Sequence, residues 1–185
     1  GEETLVEIGD NTIIRECATI NRGTIDTNKT IIENDCLIMA YVHIAHDCIV
    51  KNNSILVNAV QIGGHSIIDE HAIIGGGSVI HQFTKIGKYS MTAGGSVIRK
   101  DIPPYCKAGK NPLKYMGINS IGLKRKGFSK SVINNIQEIY RILYFDGLNN
   151  SEASSKISND IIDSNEKSEI LDFISKSDRG LIKGK

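Results

Sequence analysis

The chain has 185 residues, enough for one sizeable domain or a domain with an appendage. Its formal net charge of +1 gives no global field for nucleic acid or an anionic membrane, and no apolar run approaches the ~20 residues of a membrane helix. Cys17, Cys36, Cys48 and Cys106 form no C-x-x-C pair, so free thiols in a reducing cytoplasm are expected.

The chain starts at Gly1, inside a patterned stretch and with no secretory leader, so a longer natural protein is expected. Ile8, Ile14 and Ile20 share one frame of six. Asp26 breaks it inside "GTIDTNKT", which reads as a loop bulging from a corner. From Ile32 the frame runs unbroken through Ile38, Ile44, Val50, Leu56, Ile62, Ile68, Ile74, Ile80, Ile86, Thr92 and Ile98, with only Thr92 not a large aliphatic residue. Four residues after each stand mostly small side chains, among them Cys36, Cys48, Ser54, Ser66, Ser78 and Ser96. Period six fits neither a helix nor a plain strand. It fits a chain that runs a short strand, turns a corner and repeats, three hexads to a triangular coil, with coils stacked about 4.8 Å apart. The expected fold is an all-β parallel β-helix over residues 1–106, left-handed by analogy with other hexapeptide-repeat proteins.

The period stops after "DIPPYC", where Pro103 and Pro104 cannot serve a ladder. A small α-helical domain is expected over 107–185. Its main helix is capped by Ser129, carries apolar residues from Val132 to Tyr144 and ends at Gly147; weaker helices fall near 151–162 and 165–176.

Histidines mark the candidate site. With coils of 18 residues, His43, His46, His65 and His81 gather near one edge of the prism, and His71 falls on a different face. In "YVHIAHDCIV", Asp47 follows His46 and could fix its tautomer, but only where a corner bends the chain, because strand neighbours point apart. Surface histidines with no chemistry, a zinc site of the carbonic-anhydrase-like β-helix type, and acyl transfer by a general base all remain open. Zinc needs three imidazoles converging on one ion, and histidines spread over two coils suit acyl transfer better. An ice-binding solenoid would want regular threonine ranks, which are absent from the sequence.

"RECATINRGT", "HIAHDC", "IIGGGSVIHQF", "DIPPY", "GLKRKGFS" and the closing "RGLIKGK" together resemble the UDP-N-acetylglucosamine O-acyltransferases that begin lipid A synthesis. The N-acyltransferase of the same pathway is the nearest alternative. The resemblance implies a cytoplasmic homotrimer with active sites between subunits. It implies transfer of a 3-hydroxyacyl group from acyl carrier protein to the sugar 3-hydroxyl, with no metal and no cofactor. By this resemblance His46 matches the general base, Asp47 its orienting acid and the Gly64 N–H the oxyanion donor. His43 and His65 match residues near the sugar and the reacting centre, and His81 and Gln82 match the nucleotide-sugar side. Asn119, Arg125 and Lys126 match nucleotide or diphosphate contacts. Gly94, with Met91 near it, matches the acyl groove. Ile121, Lys126 and Pro112 depart from common family residues (an acid, an arginine and a histidine). The family's earlier coils, with an Asp and a Lys that hold the nucleotide sugar, are not in this sequence.

Between Asp101 and Glu138 the sequence has no acid, while Lys107, Lys110, Lys114, Lys124, Arg125, Lys126 and Lys130 fall there. The bland reading is a solvated face. An acidic carrier protein as partner makes it an expected docking surface. No exposed aromatics interleave with the bases, which argues against nucleic acid.

Overall fold

The computed structural model describes residues 2–184. Short parallel strands stack into three sheets that form the faces of a prism. The first face comprises Leu5–Ile8, Lys29–Ile32, Ile49–Val50, Ile67–Ile68 and Lys85–Ile86. The second comprises Ile13–Ile14, Leu37–Ile38, Ile55–Leu56, Ile73–Ile74 and Met91–Thr92, and is extended by the hairpin Cys106–Gly109 and Lys114–Ile118. The third comprises Thr19–Ile20, His43–Ile44, Gln61–Ile62, Val79–Ile80 and Val97–Ile98.

Register follows the hexads. Ile32 pairs with Val50 and Ile68 with Ile86, one coil of 18 residues apart. Ile8 instead pairs with Ile32, 24 residues on, because the loop at Asp26 adds one hexad at the corner between the third and first faces. The frame residues form the core: Ile38, Ile44, Val50, Leu56, Ile68, Ile74, Ile86 and Ile98 are fully buried. Thr92 is also buried, and its hydroxyl accepts from the Gly75 N–H at 3.0 Å, so the one polar frame residue is satisfied. At the start of the column Ile8 and Ile14 keep the frame but are exposed.

The corners explain the small residues. Three residues after each frame residue from Ile32 to Thr92 the backbone enters the left-handed region, at Asp35, Tyr41, Asp47, Asn53, Ala59, His65, His71, Phe83 and Tyr89, with Gly77 and Gly95 in the same series. The next residue lies inside the turn, where Ser66 Oγ donates to the Gly63 carbonyl at 2.7 Å and Ser78 Oγ to the Gly75 carbonyl at 2.6 Å. Cys36 and Cys48 occupy equivalent places and donate to the Lys51 and Gly63 carbonyls. Burial pushes the Cys48 thiol up to about 11, so it acts as a small corner residue and not as a nucleophile.

The sheet does not end at residue 106. Lys107 pairs with Met91, and the antiparallel strand Lys114–Ile118 follows, so the sequence boundary at 106/107 falls inside the second face. Helices α1 (Ser120–Arg125), α2 (Lys130–Phe145), α3 (Asn150–Asp160) and α4 (Asn165–Ser175) come next. Ser129 caps α2 as its pattern predicts, and the helix buries Ile133, Ile136, Ile139, Tyr140, Ile142 and Leu143. Lys88 and Tyr105 on the prism both meet Glu169 of α4. No helix among the described residues is long and apolar enough to cross a membrane.

Candidate active site

The corner between the third and first faces brings His46, Asp47 and His65 together. Asp47 takes the left-handed position there, with φ 60°, and this turns its side chain back toward the preceding residue. His46 Nδ1 and Asp47 Oδ2 are 2.7 Å apart. The bend that the "AHD" reading required is therefore present.

Asp47 is buried, 4% exposed. The Thr24 N–H donates to its Oδ1 at 2.9 Å and the Thr24 hydroxyl to its Oδ2 at 2.8 Å; the Thr27 hydroxyl also donates to Oδ1. Burial by itself would raise this carboxyl's pKa. The hydrogen bonds from Thr27, His46 and Thr24 outweigh it and hold the group well below the usual carboxylate range. A carboxylate so held only accepts, so His46 Nδ1 must be its donor. The lone pair of His46 then lies on Nε2, and the ring is 44% exposed.

One coil on, Gly64 packs against that ring. A Cβ added at Gly64 would lie 2.7 Å from His46 Cε1 and 2.9 Å from Nε2, so only glycine leaves the ring its place. The Gly64 N–H makes no hydrogen bond among the described residues. The equivalent donors of Gly76 and Gln82 are free too, so Gly64 is distinguished by the ring beside it. His65 lies directly over Asp47 in the corner column. Its ring meets His46 edge-on at 5.3 Å and stacks on Phe83 at 4.6 Å, with Nε2 3.6 Å from Asp47 Oδ2 and Nδ1 3.6 Å from Asp26.

His43 faces outward from the third face, its Nδ1 2.8 Å from the Thr19 hydroxyl. His81 and Gln82 are exposed at the end of that face, two coils beyond Ala45 and His46. These residues share one edge, as the spacing predicts. His71 occupies the corner between the first and second faces and stacks on Tyr89 at 4.6 Å.

Other expected residues lie elsewhere. Asn119 is the buried N-cap of α1: its Oδ1 accepts from the Gly122 N–H, and its Nδ2 donates to the Tyr89 carbonyl at 3.0 Å. That ties Asn119, and with it Arg125 and Lys126, to the His71 corner. In one chain the whole first face separates them from His46. Gly94 does not continue the column of His65. It sits above Gly76 on the corner between the second and third faces, where its Cβ would come 3.2 Å from the Gly76 carbonyl. The left-handed φ there belongs to Gly95, at 67°, and not to Gly94. Met91 is exposed on the second face. Lys107, Lys110 and Lys114 belong to the hairpin region, whereas Lys124 lies in the last turn of α1 and Lys130 is the first residue of α2. None of these, nor Arg125 or Lys126, is in an ion pair among the described residues.

Residue-type reasoning missed Thr24 and Thr27, which hold Asp47, and Phe83, which holds His65. The available signal was the extra hexad: a loop inserted at this one corner brings threonines over Asp47.

Comparison with known proteins follows the same division. Residues 29–64 match the bacterial transferase hexapeptide (six repeats) family, and residues 101–182 match the family described as UDP-N-acetylglucosamine O-acyltransferase, domain 2. The acyl-[acyl-carrier-protein]–UDP-N-acetylglucosamine O-acyltransferase of Chlorobaculum tepidum is 59% identical over 94% of this chain and 66% of its own length. That of Psychromonas ingrahamii is 55% identical over 99% of this chain and 70% of its own. The crystal structure of the UDP-N-acetylglucosamine acyltransferase from Bacteroides fragilis superposes with a TM-score of 0.98 at 48% identity, covering 99% of this chain and 72% of that one. The chain thus spans 66% of the first relative's length and somewhat more of the others. Sequence, coil register and helical end agree, and the chain belongs to the UDP-N-acetylglucosamine O-acyltransferase family of acyltransferases.

Proposed function

We propose that this protein transfers a 3-hydroxyacyl group from acyl carrier protein to the 3-hydroxyl of UDP-N-acetylglucosamine, the opening step of lipid A synthesis in the cytoplasm. The carrying observation is the His46–Asp47 pair: an ionised, saturated carboxylate fixes the Nδ1–H, so Nε2 is the free base. Nε2 takes the proton from the sugar hydroxyl as the oxygen attacks the thioester carbonyl, a contribution of typically 10²–10⁴-fold. The Gly64 N–H, against the same ring, receives the negative charge that develops on the carbonyl oxygen. Collapse expels the carrier thiolate, and the imidazolium returns its proton to it.

Zinc chemistry is the second reading, because ligand atoms of His46, Asp47 and His65 lie within 4.8 Å of one another. The carboxylate argues against it. Asp47 already accepts from Thr24 twice, from Thr27 and from His46, which uses the roughly four lone-pair sites it owns. The cluster also supplies two imidazoles, not three.

The nucleotide and diphosphate roles of Asn119, Arg125 and Lys126 require a neighbouring copy, since one chain keeps them a face away from His46. We therefore place the site between subunits of a homotrimer. Val79 and Val97, outward on the third face and 49% and 46% exposed, suit such a contact. Lys107, Lys110, Lys114, Lys124 and Lys130, unpaired among the described residues, form the carrier-protein surface, and no cofactor is needed. The test is mass spectrometry of products from UDP-N-acetylglucosamine, or its 3-amino analogue, with 3-hydroxyacyl carrier proteins of several lengths. An O-acylated nucleotide sugar is expected. Acylation of the 3-amino analogue only, or of neither, contradicts the assignment.

A further inference from the structure

His71 is the histidine that the chemistry above leaves unused. It sits at a corner with φ 57°, its ring flat on Tyr89, which in turn packs against Tyr105 and Phe128. Its two nitrogens differ. Nδ1 is buried with no partner. Nε2 has no protein partner among the described residues either, but it is not buried, so this edge of the ring opens to solvent. The charged and titratable groups around the ring are Glu70 on the same corner, Lys88 and Tyr89 from the next coil, and Lys126 from α1. Asn119 fixes α1 against this column through its bond to the Tyr89 carbonyl, so Lys126 and His71 hold a set relation.

The sealed Nδ1 decides the state of the ring. A proton on Nε2 alone leaves only a lone pair unpaired inside, whereas a charged ring would bury an N–H with nothing to accept it. Burial and the Lys126 charge push the same way, lowering the His71 pKa. His71 therefore presents a neutral N–H donor to solvent beside Lys126, which has no carboxylate partner among the described residues, whereas Lys88 is taken up by Glu169. A donor beside a free cation suits an anionic oxygen.

We propose that His71 is a binding residue for the diphosphate of the nucleotide sugar, its Nε2–H donating to a phosphoryl oxygen that Lys126 and Arg125 also hold. This rests on the acyltransferase reading and adds to it a contact from the prism itself. Each phosphoryl group of UDP-N-acetylglucosamine carries one ester and one anhydride link, so its single acidic oxygen stays ionised across the neutral range and the acceptor does not change with pH.

The test is calorimetric titration of UDP-N-acetylglucosamine into the wild type, His71→Phe and His71→Gln, with steady-state kinetics on each. Phenylalanine keeps the stack and removes the donor. It also tolerates the corner, since Phe83 and Tyr89 adopt φ 63° and 55° at equivalent places. The glutamine amide nitrogen reaches about where Nε2 lies. Loss of one hydrogen bond to a charged oxygen is expected to raise Kd and KM for the nucleotide sugar about tenfold in His71→Phe. The same variant should leave kcat and the KM for acyl carrier protein unchanged, and His71→Gln should recover at least part of the loss. A change below threefold in His71→Phe overturns the proposal. So does a loss that falls on the carrier KM instead, or one that glutamine does not relieve. Failure of the wild type to bind the nucleotide sugar at all overturns the acyltransferase reading, and this proposal with it.

Discussion

Two corners at opposite ends of the first face each carry a histidine, and the fold treats them in opposite ways. At one, the inserted loop drops threonines onto Asp47, and the carboxylate they hold ionised takes the Nδ1–H of His46. At the other, no loop is inserted, and His71 meets Tyr89, an unpartnered Nδ1 and Lys126. The corner backbone is nearly the same, but His46 stands one place before the left-handed position and His71 on it, so the place within the corner and the neighbours from the next coil and the loop together set how each imidazole is held. A histidine on a hexapeptide-repeat corner has no role until the residues one coil away are known.

The largest expected effect breaks the His46 corner at its acid. Asp47→Asn lets an amide N–H face Nδ1, which reverses the tautomer and puts the proton on Nε2. The kcat for acyl transfer should fall on the order of 10²–10⁴-fold with a native circular dichroism spectrum. A loss under tenfold would mean that Asp47 does not set the tautomer. Gly64→Ala should follow, with kcat down roughly 10²–10³-fold, because a methyl 2.9 Å from Nε2 must displace the ring and the oxyanion donor together. A crystal structure of that variant with His46 unmoved would show the ring position to be unimportant.

Stability against pH separates the corners further. Asp47 and His71 both have lowered folded-state pKa values, so each stabilises the protein above its unfolded value and loses that contribution as pH falls through the folded one. For His71 the loss begins below about 6.5, and for Asp47 only below about 4. The melting temperature should therefore decline in two stages on acidification. His71→Phe should remove the first and leave the second; a single transition common to both proteins would contradict the buried, unpaired Nδ1.

Smaller effects test the surfaces outside the two corners. Reversing Lys110 and Lys114 to Glu should raise KM for acyl carrier protein several-fold, mainly through on-rate, and flatten its dependence on salt. An unchanged KM in stopped-flow and steady-state assays would make these lysines a solvated face. Gly94→Met should shift preference toward a shorter acyl donor at about 0.8 kcal/mol per excluded methylene. Its φ lies outside the left-handed region, so the substitution strains only the 3.2 Å approach to the Gly76 carbonyl. The same chain-length ranking at lower activity would place the ruler elsewhere.

Much of this was legible before any coordinates. A period of six sustained from Ile32 to Ile98 leaves one way to bury those side chains, and their column is the core. The histidine edge followed from the coil length. Ser129 and the apolar stripe to Tyr144 located α2 because a helix face has its own period. The extension of the second face past Cys106 was hidden, since Lys107–Gly109 and Lys114–Ile118 carry no hexad and pair through a hairpin. The capping role of Asn119 was hidden for a related reason: capping depends on where the helix starts, and α1 is too short to announce itself. The loop at Asp26 was visible as a break in the frame, but residue types alone did not place Thr24 and Thr27 on Asp47, because that contact depends on the register being shifted by one hexad there. Gly94 stands on a different corner column from His65, because its distance from His65 is not a whole number of coils.

The most direct test of His46 as a metal-free base is acyl transfer by chelator-treated protein, wild type beside His46→Ala, with metal content measured on the same samples. The wild type should keep its rate after chelation, and His46→Ala should lose roughly 10²–10⁴-fold in kcat while binding nucleotide sugar normally. Activity that disappears with stoichiometric zinc and returns with it, or a His46→Ala variant within tenfold of wild type, would contradict the account.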